Sequence, residues 1–139
     1  MPLEDKRWLQ FAKEDMRMAE LALEDGVFNQ VCFHAQQAVE KMLKALLAEQ
    51  GRVIPKTHKV IDLVQLLPHV EFGDLKQDVI LLDRFYIPTR YPDALPGMLP
   101  EGLPNKNDAA SALSTAGSLH AFIQALQTGE QAQSTKVKN

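Results

Sequence analysis

Apolar residues recur at three- and four-residue steps in five stretches of the 139-residue chain, the spacing of helices that each bury one face. The strongest runs from Phe28 to Gln50, where Val31, Ala35, Ala38, Val39, Met42, Leu46 and Leu47 share a side. It contains no Gly or Pro, and Gly51 follows it as a stop. Residues 4–25 form the preceding helix, with Trp8, Phe11, Ala12, Met16, Ala19, Ala22 and Leu23 inward and Gly26 closing it. So short a link predicts an antiparallel hairpin. Thr57 reads as the N-cap of a helix over 58–67 with Val60, Ile61, Val64 and Leu67 buried, ended by Pro68. A further helix over 74–86 turns Leu75, Val79, Leu82 and either Phe85 or Tyr86 inward. The last begins at Asn107 or Asp108 and reaches Gln127, burying Ala109, Ala112, Leu113, Ala116, Leu119, Phe122, Ile123 and Leu126. No stretch alternates with the period of a strand. The expected fold is all-α: an up-and-down bundle of four long helices plus one short helix.

Between the last two helices the pattern breaks. Pro88, Pro92, Pro96, Pro100 and Pro104 fall at every fourth position, and each ring removes a donor and restricts its predecessor. The half carrying Arg90, Tyr91 and Asp93 is expected to lie ordered against the body, and the second half to be mobile. Residues 129–139 offer almost nothing to bury and read as a frayed, disordered tail, leaving a single domain over 1–128.

The central helix carries a second stripe. His34, Gln37, Lys41 and Lys44 lie at offsets 0, 3, 7 and 10 on one face. An imidazole, an amide and two ammonium groups in a row make a surface that can meet an anion or a partner. The plainer alternative is a solvated face on which Glu40 and Lys44 form an i,i+4 pair. Thr57 and His58 sit at a helix start, where free N–H groups favour an anion, and Lys56 and Lys59 add positive charge. The plainer alternative, favoured when these residues are taken alone, is a simple cap with His58 packed on the loop. Tyr86 to Asp93 gathers a guanidinium, two phenols and a carboxylate. Arg90 there could fork onto a phosphate while Tyr86 or Tyr91 stacks on a base and Asp93 orients Arg90. Alternatively, Arg90 and Asp93 pin the loop.

A net charge of −3 argues against nucleic-acid binding through the global field and leaves room for a local basic cleft. The lone Cys32 has no internal disulfide partner and reads as a small core residue. The first residues lack the apolar run of a signal peptide, and no segment is apolar for long enough to span a bilayer. A cytoplasmic location and no membrane association are therefore expected. His34, His58, His69 and His120 are scattered without metal-ligand spacing, no phosphate-cradling Gly loop occurs, and no cofactor is expected. His69 and His120 read as rim residues.

Three motifs in order, AQQAVEKMLKALL at 35–47, KTH at 56–58 and YIPTRYPD at 86–93, resemble those of a HEPN domain over residues 5–127. The resemblance implies a helical bundle that forms a homodimer and is paired with a minimal nucleotidyltransferase, as a toxin–antitoxin or nucleotide-handling module. Many HEPN proteins are metal-independent ribonucleases built on Arg-x4-6-His. Here Arg90 stands near the place of that arginine, but Pro96 occupies the position of the histidine. Arg52 and His58 have the spacing but straddle Gly51 and Pro55. The leading expectation is thus a non-catalytic module binding nucleotide or RNA phosphate, or its nucleotidyltransferase partner, through His34, Gln37, Lys41, Lys44, Thr57, His58, Tyr86, Arg90, Tyr91 and Asp93. A ribonuclease toxin and a structural dimerisation module are the alternatives.

Overall fold

The helix with the longest apolar run, α2 (Phe28–Glu49), lies at the centre, with fourteen of its 22 residues buried. Around it stand α1 (Leu3–Glu24), the short α3 (Val60–Gln65) and α4 (Leu75–Leu81), and α5 (Lys106–Lys138). The computed structural model describes residues 3–86, 95–99 and 101–138, with the side chains of 6–86, 95–99, 101 to 129. The all-α class holds, with no strand among the described residues. No helix among them is long and apolar enough to cross a membrane.

Both predicted glycine stops close their helices in the same way. Gly26 and Gly51 adopt φ values of +74° and +70°, in the left-handed region that only glycine enters without strain. After α1, Gly26 N–H donates to Leu23 O and Val27 N–H to Ala22 O at 3.2 and 2.9 Å. After α2, Gly51 N–H donates to Ala48 O and Arg52 N–H to Leu47 O at 2.9 and 3.0 Å. These paired bonds satisfy carbonyls that a helix end leaves bare.

The core runs along α2, where Val31, Ala35, Val39, Met42, Leu43 and Leu47 meet Ala12 and Ala19 of α1 and Ala109, Ala116, Leu119 and Ile123 of α5. The small residues of α1 and α5 let those helices approach α2 closely. Cys32 is fully buried, as expected, and burial pushes its thiol up to about 12, with the nearby Asp108 carboxylate adding to the shift. Such a thiol carries almost no thiolate at neutral pH.

Five expectations need correction. Phe11 is 49% exposed rather than inward, because Ala12 takes the core-facing position beside it. In α3 Leu63 is buried and Ile61 turns outward; the buried face runs through Val60, Leu63, Val64 and Leu67, and Ile61 lies beyond its edge. The helix predicted over 74–86 is α4 followed by a 3-10 turn, Leu82–Phe85, so three helices are long and two short. Leu82 and Phe85, three apart, are both buried, which a three-residue period serves. Finally, residues 95–99 in the second half of the Pro-rich loop pack on the body. Gly97 sits so close to the first turn of α2 that a Cβ there would lie 1.8 Å from Asn29 O. Asn29 Nδ2 donates to Pro96 O at 3.0 Å, and Leu99 is buried. At the other end, α5 continues past Gln127, and its backbone is helical through Lys138.

Candidate functional site

The polar stripe of α2 does not face open solvent. It lies against α1 on one side and the 56–59 loop on the other, and two carboxylates divide it into two clusters.

The first cluster centres on Asp15 of α1. Its Oδ1 meets His34 Nδ1 at 2.8 Å, and its Oδ2 accepts from the Lys41 ammonium. Each carboxylate oxygen thus serves one side chain of α2. His34 also packs edge-on against Phe33, with ring centroids 5.2 Å apart.

The second cluster centres on Glu40 of α2, whose side chain is only 3% exposed. Lys44, one turn on and 8% exposed, donates to Glu40 Oε1 at 2.9 Å. Its ammonium also lies 5.4 Å from the ring centroid of Trp8 on α1, within the range of a cation–π contact. His58 Nδ1 meets the same Oε1 at 2.9 Å. Glu40 Oε2 is buried without a hydrogen-bond partner among the described residues. Buried acceptors are rarely left so.

Two further contacts fix His58. Gln36 Nε2 donates to the His58 backbone carbonyl at 2.9 Å, while Gln37 Nε2 donates to Gln36 Oε1 at 2.7 Å. The imidazole is therefore held at ring and backbone, yet its side chain is 55% exposed. Tyr86 lies beside it, ring centroids 5.7 Å apart and planes inclined at 36°. Lys56 and Lys59 are exposed on either side.

The helix start that looked ready for an external anion is already occupied. Val60 N–H donates to Asp83 Oδ1 at 2.7 Å and Ile61 N–H to Asp83 Oδ2 at 2.9 Å. Burial raises the Asp83 carboxyl above its usual range, and the bonds from Ile61 and Val60 oppose that shift. Thr57 is consequently not the cap. Lys59 precedes α3, and Thr57 Oγ1 accepts from Lys59 N–H at 3.1 Å and donates to Asp62 at 2.6 Å.

Of the residues singled out from the sequence, Lys44 and His58 meet at Glu40, Tyr86 lies beside His58 and Gln37 braces Gln36, while Thr57 is turned to Lys59 and Asp62. His34 and Lys41 belong to the Asp15 cluster. Arg90, Tyr91 and Asp93 lie outside the described residues. Arg52 and His58, which share the Arg-x4-6-His spacing, are drawn to different neighbours: the Arg52 guanidinium donates to Leu66 O. Sequence reasoning missed Asp15, Gln36, Glu40 as an organising group, and Asp83. Only Gln36–Glu40–Lys44 left a signal, three polar residues at four-residue steps beside the apolar seam.

The family model for the HEPN domain matches residues 6–126. The crystal structure of a Thermus thermophilus protein is 34% identical, with a TM-score of 0.70, and the match covers 86% of this chain and 95% of that one. An archaeal HEPN homologue is 28% identical with a TM-score of 0.69, over 88% of this chain and 96% of its own. A HEPN domain protein from Thermotoga maritima is 27% identical with a TM-score of 0.68, over 88% and 98%. No curated protein matches the chain significantly.

Proposed function

Because this chain belongs to the HEPN domain family, we propose that it is a non-catalytic binding module, acting as a homodimer, whose His58–Tyr86 corner receives a nucleotide or an RNA segment. The observation that carries this reading is the half-exposed imidazole held by a buried carboxylate beside a phenol ring. A ring so fixed loses little freedom on binding. Tyr86 offers a face on which a base can stack, and Lys56 and Lys59 supply ammonium groups for phosphate. Arg90 and Tyr91 follow Tyr86 within five residues, with Asp93 close behind in sequence, and they carry the same chemistry. Lys41 and Lys44 already face carboxylates, so their part in anion binding is indirect. His34 and Gln37 brace the stripe. A minimal nucleotidyltransferase is the protein partner this reading assigns, in a toxin–antitoxin or nucleotide-handling pair.

Isothermal titration with AMP and with a short RNA tests the reading. Heat with the wild type that falls at least tenfold in affinity for His58→Ala and for Arg90→Ala supports it. No heat with the wild type removes it.

One observation also favours a second reading, metal-independent ribonuclease activity. A carboxylate-held imidazole is a suitable proton acceptor for a ribose hydroxyl. Cleavage of single-stranded RNA in the presence of chelator, abolished by His58→Ala, is what that reading requires.

A further inference from the structure

Taking the binding role above as given, we propose that Glu40 is the positioning residue of this corner. It holds His58 as the Nδ1–H tautomer, so that Nε2 faces the ligand as a hydrogen-bond acceptor. The ligand group read by His58 is then a donor, a sugar hydroxyl or a base N–H, and not a phosphate oxygen.

Three observations carry this. First, His58 Nδ1 meets Glu40 Oε1 at 2.9 Å. A carboxylate oxygen only accepts, so the proton of that bond sits on Nδ1. Second, Lys44 donates to the same oxygen at 2.9 Å inside the fold. Its ammonium balances the carboxylate, so the ring can donate from Nδ1 without itself carrying a charge. In a neutral imidazole with Nδ1 protonated, Nε2 is an acceptor. The ring is 55% exposed, and no partner for Nε2 occurs among the described residues.

Third, the carboxylate is poorly explained as a device for stability. Both donors crowd onto Oε1, and Oε2 is buried with none among the described residues. A buried ion pair with an unsatisfied acceptor is no better for the fold than apolar residues of the same volume. What Glu40 does achieve is orientation. With Gln36 fixing the His58 carbonyl, ring and backbone are clamped from the same helix. Tyr86, inclined at 36° beside the ring, sets a stacking plane from which a nucleotide's sugar or base edge can reach Nε2.

The test has a ligand-free arm and a ligand arm. Long-range proton–nitrogen correlation spectra at about pH 8.5, two units above the usual imidazole value, read the His58 tautomer, with His58→Gln identifying the signal. The wild type is expected to show protonated Nδ1 and bare Nε2. Glu40→Gln, whose side-chain carbonyl can still accept, keeps that pattern, while Glu40→Ala reverts to the Nε2–H form of a free imidazole. A wild-type ring protonated on Nε2 overturns the proposal, whatever the variants do.

In the second arm, titration compares AMP, 2′-deoxy-AMP, inosine monophosphate and inorganic phosphate. One lost hydrogen bond corresponds to about three- to tenfold in affinity. Weaker binding of 2′-deoxy-AMP by that factor identifies the sugar hydroxyl as the donor; weaker binding of inosine monophosphate identifies the base amino group. Equal binding of all four ligands overturns donor recognition. The expected tautomer without any nucleotide binding overturns the binding role itself, and donor recognition with it.

Discussion

Asp15 and Glu40 each hold a histidine and a lysine, yet the two clusters are built to different ends. Asp15 gives one oxygen to His34 and the other to Lys41, so both acceptors are used and both donors come from α2. The result is a clasp between α1 and α2. Glu40 takes Lys44 and His58 on a single oxygen, and the other is buried without a partner among the described residues. Its histidine belongs to the 56–59 loop and is half-exposed. A satisfied polar cluster closes a structure, whereas an unsatisfied one that aims an exposed ring keeps a site open. The same three groups, a carboxylate, an imidazole and an ammonium, serve both, so distribution of bonds, and not composition, separates them.

The sharpest way to break this comparison is to take each cluster apart by substitution and measure stability in urea. Lys44→Ala leaves Glu40 buried and uncompensated, and is expected to cost about 3–5 kcal/mol. The double variant Glu40→Leu with Lys44→Met replaces the pair by apolar volume and is expected to fall within about 1 kcal/mol of the wild type while losing ligand binding. If the double variant is as unstable as the single one, Glu40 is there for stability and the contrast fails.

Asp15→Ala opens the clasp but leaves His34 and Lys41 partly exposed to water, so the expected loss is smaller, about 1–3 kcal/mol. Nucleotide affinity should be unchanged once the protein is folded. A loss of affinity here equal to that of His58→Ala would merge the two clusters into one site. Asp83→Ala removes the cap of α3, which carries the 56–59 loop, and is expected to cost about 1 kcal/mol and to weaken binding modestly.

The smallest effect lies outside both clusters. Burial, with Lys13 nearby, lowers the His120 pKa from its usual 6.5. A lowered value means the folded state resists protonation. The His120 contribution is therefore fully present above about pH 6.5, and is lost as pH falls through the folded value. His120→Gln should flatten the stability profile in that window, with thermal denaturation between pH 5 and 7 (a span of roughly two units about the usual imidazole value) as the readout. Neither cluster is touched, so ligand binding at pH 7.5, about a unit above that value, should not change.

The sequence made the scaffold readable where one helix's own residues decide it. The seam of α2 and the stops at Gly26 and Gly51 depend on three- and four-residue spacing and on left-handed glycine, both local. The candidate site was only half legible for the opposite reason. His34, Lys41, Lys44 and His58 are visible as a polar stripe and a helix start, but the partners of His34, Lys41 and His58 come from far along the chain. Asp15 lies 19 residues from His34, and Asp83 lies 23 from Val60. The i,i+4 spacing of Glu40 and Lys44 fits a surface pair, and only the packing of α1 and the 56–59 loop over it reveals a buried one.

One titration tests the difference between the clusters most directly. The ring signals of His34 and His58 are followed by NMR as AMP is added to the wild-type protein. Saturable movement of His58 with His34 stationary is the predicted result; movement of His34 with His58 unmoved would contradict the assignment of the site to Glu40 and place it at Asp15 instead.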